Sequence, residues 1–340
     1  MTSAVIFGCA GLELSEDERA FFRRVRPWGF ILFARNIASR DQTRALIDQL
    51  REAGGDEGAL VFVDQEGGRV QRLRPPLARY RRPAALFGEL YARDPDAGLE
   101  AVRLNHRLIA HELTEFGFDA DCAPCIDLRH PGAHDIIGDR AYGETPSIVS
   151  ALGRAAMDGL MAGGVAPVIK HIPGHGRAHA DSHLELPVVS TDEKTLEATD
   201  FEPFKALSDA PMAMTAHVVY SAIDPERCAT LSHRVIATVI RGHMGFDGLL
   251  MSDDLSMKAL GGAFEHRTEA ALAAGCDVVL HCNGDMAEMQ AIASATPKLA
   301  GRALDRTVAA RAAARRVQPF DAVAAEAHLA NLGLDGREAA

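Results

Sequence analysis

The sequence predicts a closed (β/α)8 barrel, in which eight parallel strands are wrapped by helices. Short runs rich in β-branched residues alternate with longer amphipathic stretches, and this alternation is typical of a parallel sheet covered by helices. Eight such runs occur, one for each strand of a closed barrel. The chain has 340 residues against about 250 in a typical barrel, which leaves room for insertions. The predicted strands are residues 4–9, 29–33, 60–64, 120–126, 165–171, 212–217, 248–252 and 277–281.

The stretches between these runs predict the helices and the largest insertion. Ser15 and Glu18 form a capping-box pattern that predicts a helix after the first strand. The longest connection, residues 65–118, holds an arginine- and proline-rich segment and a helix ending near Gly117. The alanine-rich residues 302–317 predict the last outer helix, and the chain beyond Pro319 has no clear pattern. No linker divides the chain, so we expect one domain over residues 1–340 and no second domain.

The composition describes a globular chain with an acidic surface. Hydrophobic residues make up 47% and charged residues 24%, which is too apolar for disorder. Asp and Glu number 47 against 36 Lys and Arg, and the net charge of -11 argues against nucleic acid as a partner. The N-terminus lacks a basic signal-peptide region, and no apolar run reaches the roughly eighteen residues of a membrane span. We therefore expect a cytoplasmic monomer that binds neither nucleic acid nor membranes.

The arginine-rich segment is an exception to this acidic pattern. Six arginines lie between residues 69 and 82, and Pro75, Pro76 and Pro83 exclude a regular basic helix. Only Tyr80 could stack on a base. A solvated loop and a loop that attracts an anionic ligand both remain open interpretations.

Polar residues follow the predicted strands at the ends where chemistry occurs in this fold. The active site of a (β/α)8 barrel lies at the C-terminal ends of its strands, and burying unpaired ionisable groups there is costly, so we expect a site. We predict that Asp253 points into the barrel mouth while Asp254 caps the next helix. His217 and His281 are equally consistent with packing or with ligand contact. The strand-end residues are Asp64, Asp127, Lys170, His171, His217, Asp253, Asp254, His281, Cys282 and Asn283.

A histidine-rich segment follows the fifth predicted strand. Its four histidines recur every four residues, from His171 to His183, and on a helix this spacing would suggest zinc. Pro173, Gly174 and Gly176 argue against that helix, although a loop could still gather metal ligands. A loop held by its own hydrogen bonds is a further alternative. The catalytic interpretation is that the carboxylate of Asp181 orients the imidazole of His183 as a general acid/base.

Two cysteines in the fourth predicted strand form a C-x-x-C pattern. Cys122 and Cys125 could belong to a redox motif or to half of a zinc site. They lie within a strand rather than at a helix start, and no second C-x-x-C exists. We therefore predict two thiols of the core.

Four collinear segments resemble glycoside hydrolase family 3, in its β-N-acetylglucosaminidase (NagZ-type) branch. The histidine-rich segment is similar to that branch's K-H-F-P-G-H-G and D-S-H signature, and residues 251–257 are similar to its S-D-D-L-x-M signature. Residues 63–72 and 137–142 also agree. The match runs through most of the chain, to Asn283. Ile172 stands where phenylalanine is usual and Ala141-Tyr142 where Ser-Phe is common, but neither change removes a functional group.

The resemblance implies a role for each matching residue. Asp253 corresponds to the nucleophile, His183 to the acid/base and Asp181 to its orienting partner. The residues implied to bind the sugar hydroxyls and the N-acetyl group are Asp64, Arg72, Arg140, Lys170 and His171.

The activity implied by the resemblance is that of a retaining exo-β-N-acetylglucosaminidase that needs neither metal nor cofactor. Its implied substrate is a small carbohydrate, the N-acetylglucosaminyl-anhydro-muropeptide of peptidoglycan recycling. Alternatives with the same fold are a β-N-acetylglucosaminide phosphorylase and a β-glucosidase. A non-catalytic sugar- or zinc-binding barrel is the alternative from a different class.

Overall fold

A computed structural model of the chain describes residues 1–182, 184–313 and 317–336. Eight strands pair in parallel and close into a barrel, because the first strand pairs with the last as well as with the second. The predicted (β/α)8 class is therefore confirmed. In chain order the barrel strands are β1 (Ser3–Phe7), β2 (Pro27–Ile31), β3 (Leu60–Val63), β6 (Ala120–Asp121), β7 (Ala166–Ile172), β9 (Met212–Thr215), β11 (Leu249–Asp254) and β12 (Val278–His281).

The predicted strands were correct in number and position, and their bounds differ by a few residues. The largest difference is β6, which was predicted to reach Ile126 but ends at Asp121. Pro124 has no N–H to donate to a neighbouring strand, so the ladder cannot continue regularly. Pairing resumes only as an isolated bridge between Cys125 and Lys170.

Helices surround the barrel, and short hairpins and turns lie on its rim. The predicted capping box at Ser15 and Glu18 is present. The short strands β4 (Gln65–Gly67) and β5 (Val70–Gln71) form a hairpin, and β8 (Val188–Val189) pairs with β10 (Val219–Tyr220). The helices are α1 (Glu16–Val25), α2 (Arg40–Gly54), α3 (Ala84–Arg93), α4 (Pro95–Phe116), α5 (Pro146–Ala162), α6 (Glu193–Ala198), α7 (Glu202–Ala206), α8 (Phe264–Ala274), α9 (Met286–Ala295), α10 (Gly301–Ala313) and α11 (Ala322–Asn331), with a π-helix at Val235–His243.

Residues of the barrel strands alternate between two hydrophobic cores. Because successive side chains of a strand point to opposite faces, Ile6 packs inside the barrel while Phe7 packs outward in the layer that includes the helices. Phe62, Val168 and Met251 belong to the same inner core as Ile6. Because side chains alternate in this way, a residue just beyond a strand also points inward when it lies two positions after an inward-facing residue.

The two cysteines of the C-x-x-C pattern and the single tryptophan are packing residues. Cys122 and Cys125 are both buried with free thiols, as predicted. Trp28 lies within β2 and is buried in the inner core. Among the helices of the described part of the chain, none is both long enough and apolar enough to cross a bilayer.

The C-terminal part differs from the prediction. Helix α10 covers residues 301–313, and residues 314–316, which the prediction included in this helix, lie outside the described residues. Helix α11 was not predicted, and it packs against α4. Arg81, from the arginine-rich segment, is buried between α4 and α11, with ion pairs to Glu112 and to Glu326, the latter at 2.9 Å. This arginine therefore belongs to the interior rather than to a solvated loop.

Helix α3 packs tightly on the segment that carries Arg140. A Cβ atom added to Gly88 would lie 1.7 Å from the carbonyl oxygen of Tyr142, a backbone atom. Only a residue without a side chain therefore fits at this position.

We expect Gly88→Ala to lower the free energy of unfolding by about 1–3 kcal/mol, because the new methyl group must displace backbone. Gly261→Ala is the matched control, since a Cβ there has no neighbour within 4 Å. Thermal and denaturant unfolding of both variants measure the difference. Equal stability of the two variants would contradict the tight contact.

Candidate active site

The register of the barrel brings three predicted site residues onto one inner surface at its mouth. Asp253 continues the inward-facing positions of Leu249 and Met251 on β11. By the same period of two, Lys170 continues Val168 on β7, and Asp64 continues Phe62 just beyond β3. These three strands therefore present their ionisable side chains to a common space at their C-terminal ends.

This space is a cavity of about 380 Å³. Seven of the eight predicted site residues lie within the described part of the chain; six of these line the cavity, and Asp181 is the exception. Apolar side chains such as Ile31, Met214 and Leu280 also line the cavity. The predicted site residues in the wall are Asp64, Arg72, Arg140, Lys170, His171 and Asp253.

Lys170 is the centre of a buried ion network. Its Nζ lies 2.8 Å from Oδ1 of Asp64 and 2.7 Å from Oε1 of Glu66, and its side chain is only 3% exposed. Arg72 donates to Oδ2 of Asp64 at 3.1 Å. Arg140 donates to both carboxylate oxygens of Glu66, at 2.9 and 2.8 Å. Every member of the network therefore has a partner of opposite charge.

The pKa values of this network follow from burial opposed by pairing. Burial alone would raise the pKa of Glu66, but Arg140 and Lys170 outweigh it and hold the pKa at about 2. The pKa of Asp64 is lowered for the same reason, by Lys170 and Arg72. Burial acts to lower the pKa of Lys170, yet the two carboxylates raise it above its usual value. All these groups are charged at neutral pH.

His171 is oriented by a buried carboxylate. Its Nδ1 lies 2.7 Å from Oδ2 of Asp127, which is fully buried. Oδ1 of Asp127 accepts the backbone N–H of His175 at 2.6 Å. A carboxylate that fixes one ring nitrogen sets the orientation of the imidazole, so His171 presents a defined face to the cavity.

Cys125, Asp127 and His171 bring possible metal ligands within 4.8 Å of one another. However, the Asp127 oxygens already accept hydrogen bonds from the thiol at 3.3 Å and from the imidazole. Burial raises the pKa of Cys125 well above that of an ordinary thiol, which keeps it protonated, whereas metals bind the thiolate. These contacts favour a hydrogen-bonded network rather than a metal centre.

His217 supports the backbone next to Asp253. Its Nε2 donates to the carbonyl oxygen of Asp254 at 3.1 Å, and its Nδ1 lies 2.7 Å from Oγ1 of Thr230. Burial lowers the pKa of His217, so the ring is neutral, with its proton on Nε2. His217 is therefore a hydrogen-bonded packing residue of the barrel mouth, one of the two interpretations left open for it.

The prediction that Asp254 caps the next helix was wrong. Its carboxylate accepts from the backbone N–H of Ser256 at 3.0 Å and from that of Cys282 at 3.2 Å. A turn follows β11, and α8 begins ten residues later, at Phe264, with Ala263 at the capping position. Asp254 therefore stabilises the turn behind Asp253 and joins it to the end of β12.

Residues 173–182 of the histidine-rich segment form a loop, not a helix, as Pro173 and its glycines indicated. Asp181 is half-buried in this loop, and the neighbouring Ser182 is buried. His183, the predicted acid/base, lies outside the described residues. His175 is buried, and its Nε2 lies 3.0 Å from Oγ of Ser182.

Sequence reasoning assigned no role to Glu66, Asp127 or His175. Glu66 is part of the quoted third-strand motif, but only the fold shows that it pairs with Arg140, 74 residues away. Asp127 was noted at a strand end without a partner. The sequence signal for Asp127 was its place directly after a buried strand. Its pairing with the imidazole of His171 depends on the fold and could not be predicted from the sequence.

A further carboxyl group, Asp121, lies buried near the ion network. Its Oδ1 accepts the backbone N–H of Gln65 at 2.9 Å, whereas its Oδ2 has no hydrogen-bond partner among the described residues. Burial raises its pKa from 3.8 to about 8, and the charges of Asp64 and Glu66 add to this effect. Asp121 is therefore mostly protonated at neutral pH.

The fold and the mouth together define a class of enzyme. A closed parallel barrel holds, at the C-terminal ends of its strands, a cavity lined by a carboxylate, by paired charged groups and by apolar side chains. Carboxylates under an anomeric carbon and charged groups that bind hydroxyls are what glycoside cleavage requires, so the class is that of a glycoside hydrolase.

Comparison with known proteins gives the family. The model of the glycosyl hydrolase family 3 N-terminal domain matches residues 11–318. A β-hexosaminidase of Alkalilimnicola ehrlichii is 43% identical over 286 residues, 82% of this chain and 80% of that protein. One of Xanthomonas campestris is 37% identical over 332 residues, 96% of this chain and 97% of that protein.

A solved structure agrees with these relatives. NagZ from Neisseria gonorrhoeae in complex with N-trifluoroacetyl-D-glucosamine superposes with a TM-score of 0.86 at 31% identity, over 97% of both chains. The chain belongs to glycosyl hydrolase family 3. The predicted resemblance and the prediction of a glycoside hydrolase are confirmed.

We expect Asp121→Asn to stabilise the protein increasingly as the pH rises. The folded pKa of Asp121 is raised above its unfolded value, so the wild type loses stability between pH 3.8 and about 8, and the neutral amide does not. Thermal unfolding across this interval measures the difference, with Asp305→Asn, at an exposed position on α10, as control. A difference in melting temperature that does not depend on pH would contradict the raised pKa.

Proposed function

We propose that the protein is a retaining exo-β-N-acetylglucosaminidase. Asp253 attacks the anomeric carbon and forms a covalent glycosyl-enzyme, while His183, oriented by Asp181, donates a proton to the departing oxygen. In the second step His183 takes a proton from water, which attacks the same carbon and releases the sugar with net retention. The β-hexosaminidase activity named for the relatives supports the sugar specificity.

The observation that carries this proposal is the place of Asp253. It lies at the C-terminal end of β11, on the inward-facing register, in the wall of the cavity. Its Oδ1 accepts the backbone N–H of Asp254 at 2.8 Å, which helps to hold the carboxylate in one orientation. An ionised, oriented carboxylate is what a nucleophile at an anomeric carbon requires.

Five further residues of the cavity support the binding of a single sugar residue. Asp64, Arg72, Arg140, Lys170 and His171 present fixed charges and an oriented imidazole, which suit hydroxyl and N-acetyl groups. The cavity of about 380 Å³ is near the lower end of the range of roughly 300–1,000 Å³ for small-molecule sites, which favours one terminal residue over a long oligosaccharide.

The finer parts of the proposal concern the substrate and its setting. The leaving group is the anhydro-muramyl peptide of a muropeptide, and the process is peptidoglycan recycling in the cytoplasm by a monomeric enzyme. Release of N-acetylglucosamine from purified N-acetylglucosaminyl-anhydro-muropeptide tests the substrate. The same assay with added phosphate separates hydrolysis from phosphorolysis by its sugar product.

We expect Asp253→Asn to lower kcat on a nitrophenyl N-acetyl-β-glucosaminide by roughly 10⁴-fold or more, because the amide is a poor nucleophile. Asp305→Asn is the control and should keep wild-type kcat. A fluorinated, slowly turned-over donor should label Asp253, as located by peptide mass spectrometry. Labelling of a different carboxylate would contradict its role as nucleophile.

We expect His183→Ala to slow substrates with poor leaving groups by about 10²–10⁴-fold and substrates with good leaving groups far less, because only the former need a proton. In the wild type, kcat/KM should fall at high pH as the imidazole loses its proton, and at low pH as Asp253 gains one. The variant should lack the alkaline limb. Equal slowing of all substrates would contradict the proton donor.

A further inference from the structure

The first half of the histidine-rich loop is anchored to the barrel. Arg177 donates from Nε to Oδ2 of Asp200 at 2.6 Å, and His130 lies 2.8 Å from the other oxygen of this buried carboxylate. A Cβ atom on Gly176 would lie 1.9 Å from the carbonyl oxygen of Leu128, so the backbone there packs directly on its neighbour. These contacts fix the loop up to Arg177.

A buried side-chain hydrogen bond joins the second half of the loop to this anchored part. Oγ of Ser182 lies 3.0 Å from Nε2 of His175, and both residues are buried, at 3% and 2% exposure. His175 is itself fixed, because its backbone N–H donates to Asp127 at 2.6 Å and its ring packs edge-on against His171. The loop therefore folds back on a rigid group at Ser182.

Ser182 also contacts the segment that follows the nucleophile strand. Its carbonyl oxygen accepts the backbone N–H of Ala259 at 3.3 Å, and Ala259 lies in the turn region after β11, the strand that carries Asp253. Ser182 thus connects the second half of the loop both to His175, which packs against the cavity-lining His171, and to the connection beyond Asp253.

We propose that the hydrogen bond between Ser182 and His175 is a latch that positions the acid/base dyad. This inference rests on the proposed function, in which Asp181 and His183 form the dyad. Ser182 stands between Asp181 and His183 in the chain, and the proposed effect of its buried contact on the dyad is transmitted through the adjoining peptide bonds. Ser182 and His175 are positioning residues, since neither is assigned a proton transfer.

The latch is suited to the pH range in which the proposed chemistry operates. Burial, with a smaller contribution from the charge of His171, lowers the pKa of His175 to about 4. The His175 ring is therefore neutral above that pH, while the imidazole of the dyad must gain and lose a proton. The protonation state of His175 in the positioning contact therefore stays the same around neutral pH.

The test compares leaving groups in Ser182→Ala, with dinitrophenyl, nitrophenyl and methoxyphenyl N-acetyl-β-glucosaminides as substrates. A proton donor displaced by about 1 Å can cost about 10²-fold in rate. We expect a loss of that size in kcat/KM for methoxyphenyl and little loss for dinitrophenyl, whose departure needs no proton. Ser182→Thr keeps the hydroxyl and should restore most of the activity. Ser190→Ala, an exposed serine of the same connection, is the control and should match the wild type.

A second variant tests the same bond from its other end. His175→Phe keeps a ring of similar size but removes the nitrogens, and we expect the same dependence on the leaving group. The double variant should be no slower than the slower single variant, because both remove one contact. If Ser182→Ala fails to fold, His175→Phe alone still tests the hydrogen bond.

The outcomes separate the latch from the function on which it rests. A uniform loss across leaving groups, or no loss, in Ser182→Ala beside a steep dependence in His183→Ala would overturn the latch alone. No dependence on the leaving group in His183→Ala itself would overturn the proposed dyad, and the latch with it.

Discussion

The buried ammonium group of Lys170 is the constraint on which the barrel mouth depends. It lies in contact with Asp64 and Glu66, which in turn hold Arg72 and Arg140. Removing a single partner from such a network leaves an uncompensated charge in a low-dielectric site, which is far more costly than losing a surface ion pair. The ends of β3 and β7, the hairpin of β4 and β5, and the segment carrying Arg140 are therefore coupled through one side chain.

The charge balance of this network bears on the proposed nucleophile. Three cations, Lys170, Arg72 and Arg140, face two carboxylates, Asp64 and Glu66, and so leave one positive charge in excess. An ionised Asp253 in the same cavity would neutralise that excess. Nearby positive charge favours the ionised form of a carboxylate, so the ion network around Lys170 is consistent with the role proposed for Asp253.

Much of this arrangement could be predicted from the sequence because strand periodicity is a local property. Asp64, Lys170 and Asp253 each follow a buried run, and a period of two places them on the same inner face. The partner of Arg140 could not be read in this way, since Glu66 lies on a short hairpin whose direction depends on the fold. Helix α11 escaped prediction because its alanine-rich segment has only a weak amphipathic pattern, and its place depends on contacts with α4. The roles of Asp181 and His183 depend on the family resemblance and stay predictions.

The burial of Arg81 between α4 and α11 has a consequence for the architecture of the whole chain. The guanidinium group is neutralised from two sides, by Glu112 within the long insertion and by Glu326 near the end of the sequence. Deleting α11 would expose the guanidinium group of Arg81 and remove one of its two carboxylate partners. Helix α11 is thus part of the folded structure that stabilises the long insertion, and its removal would compromise folding.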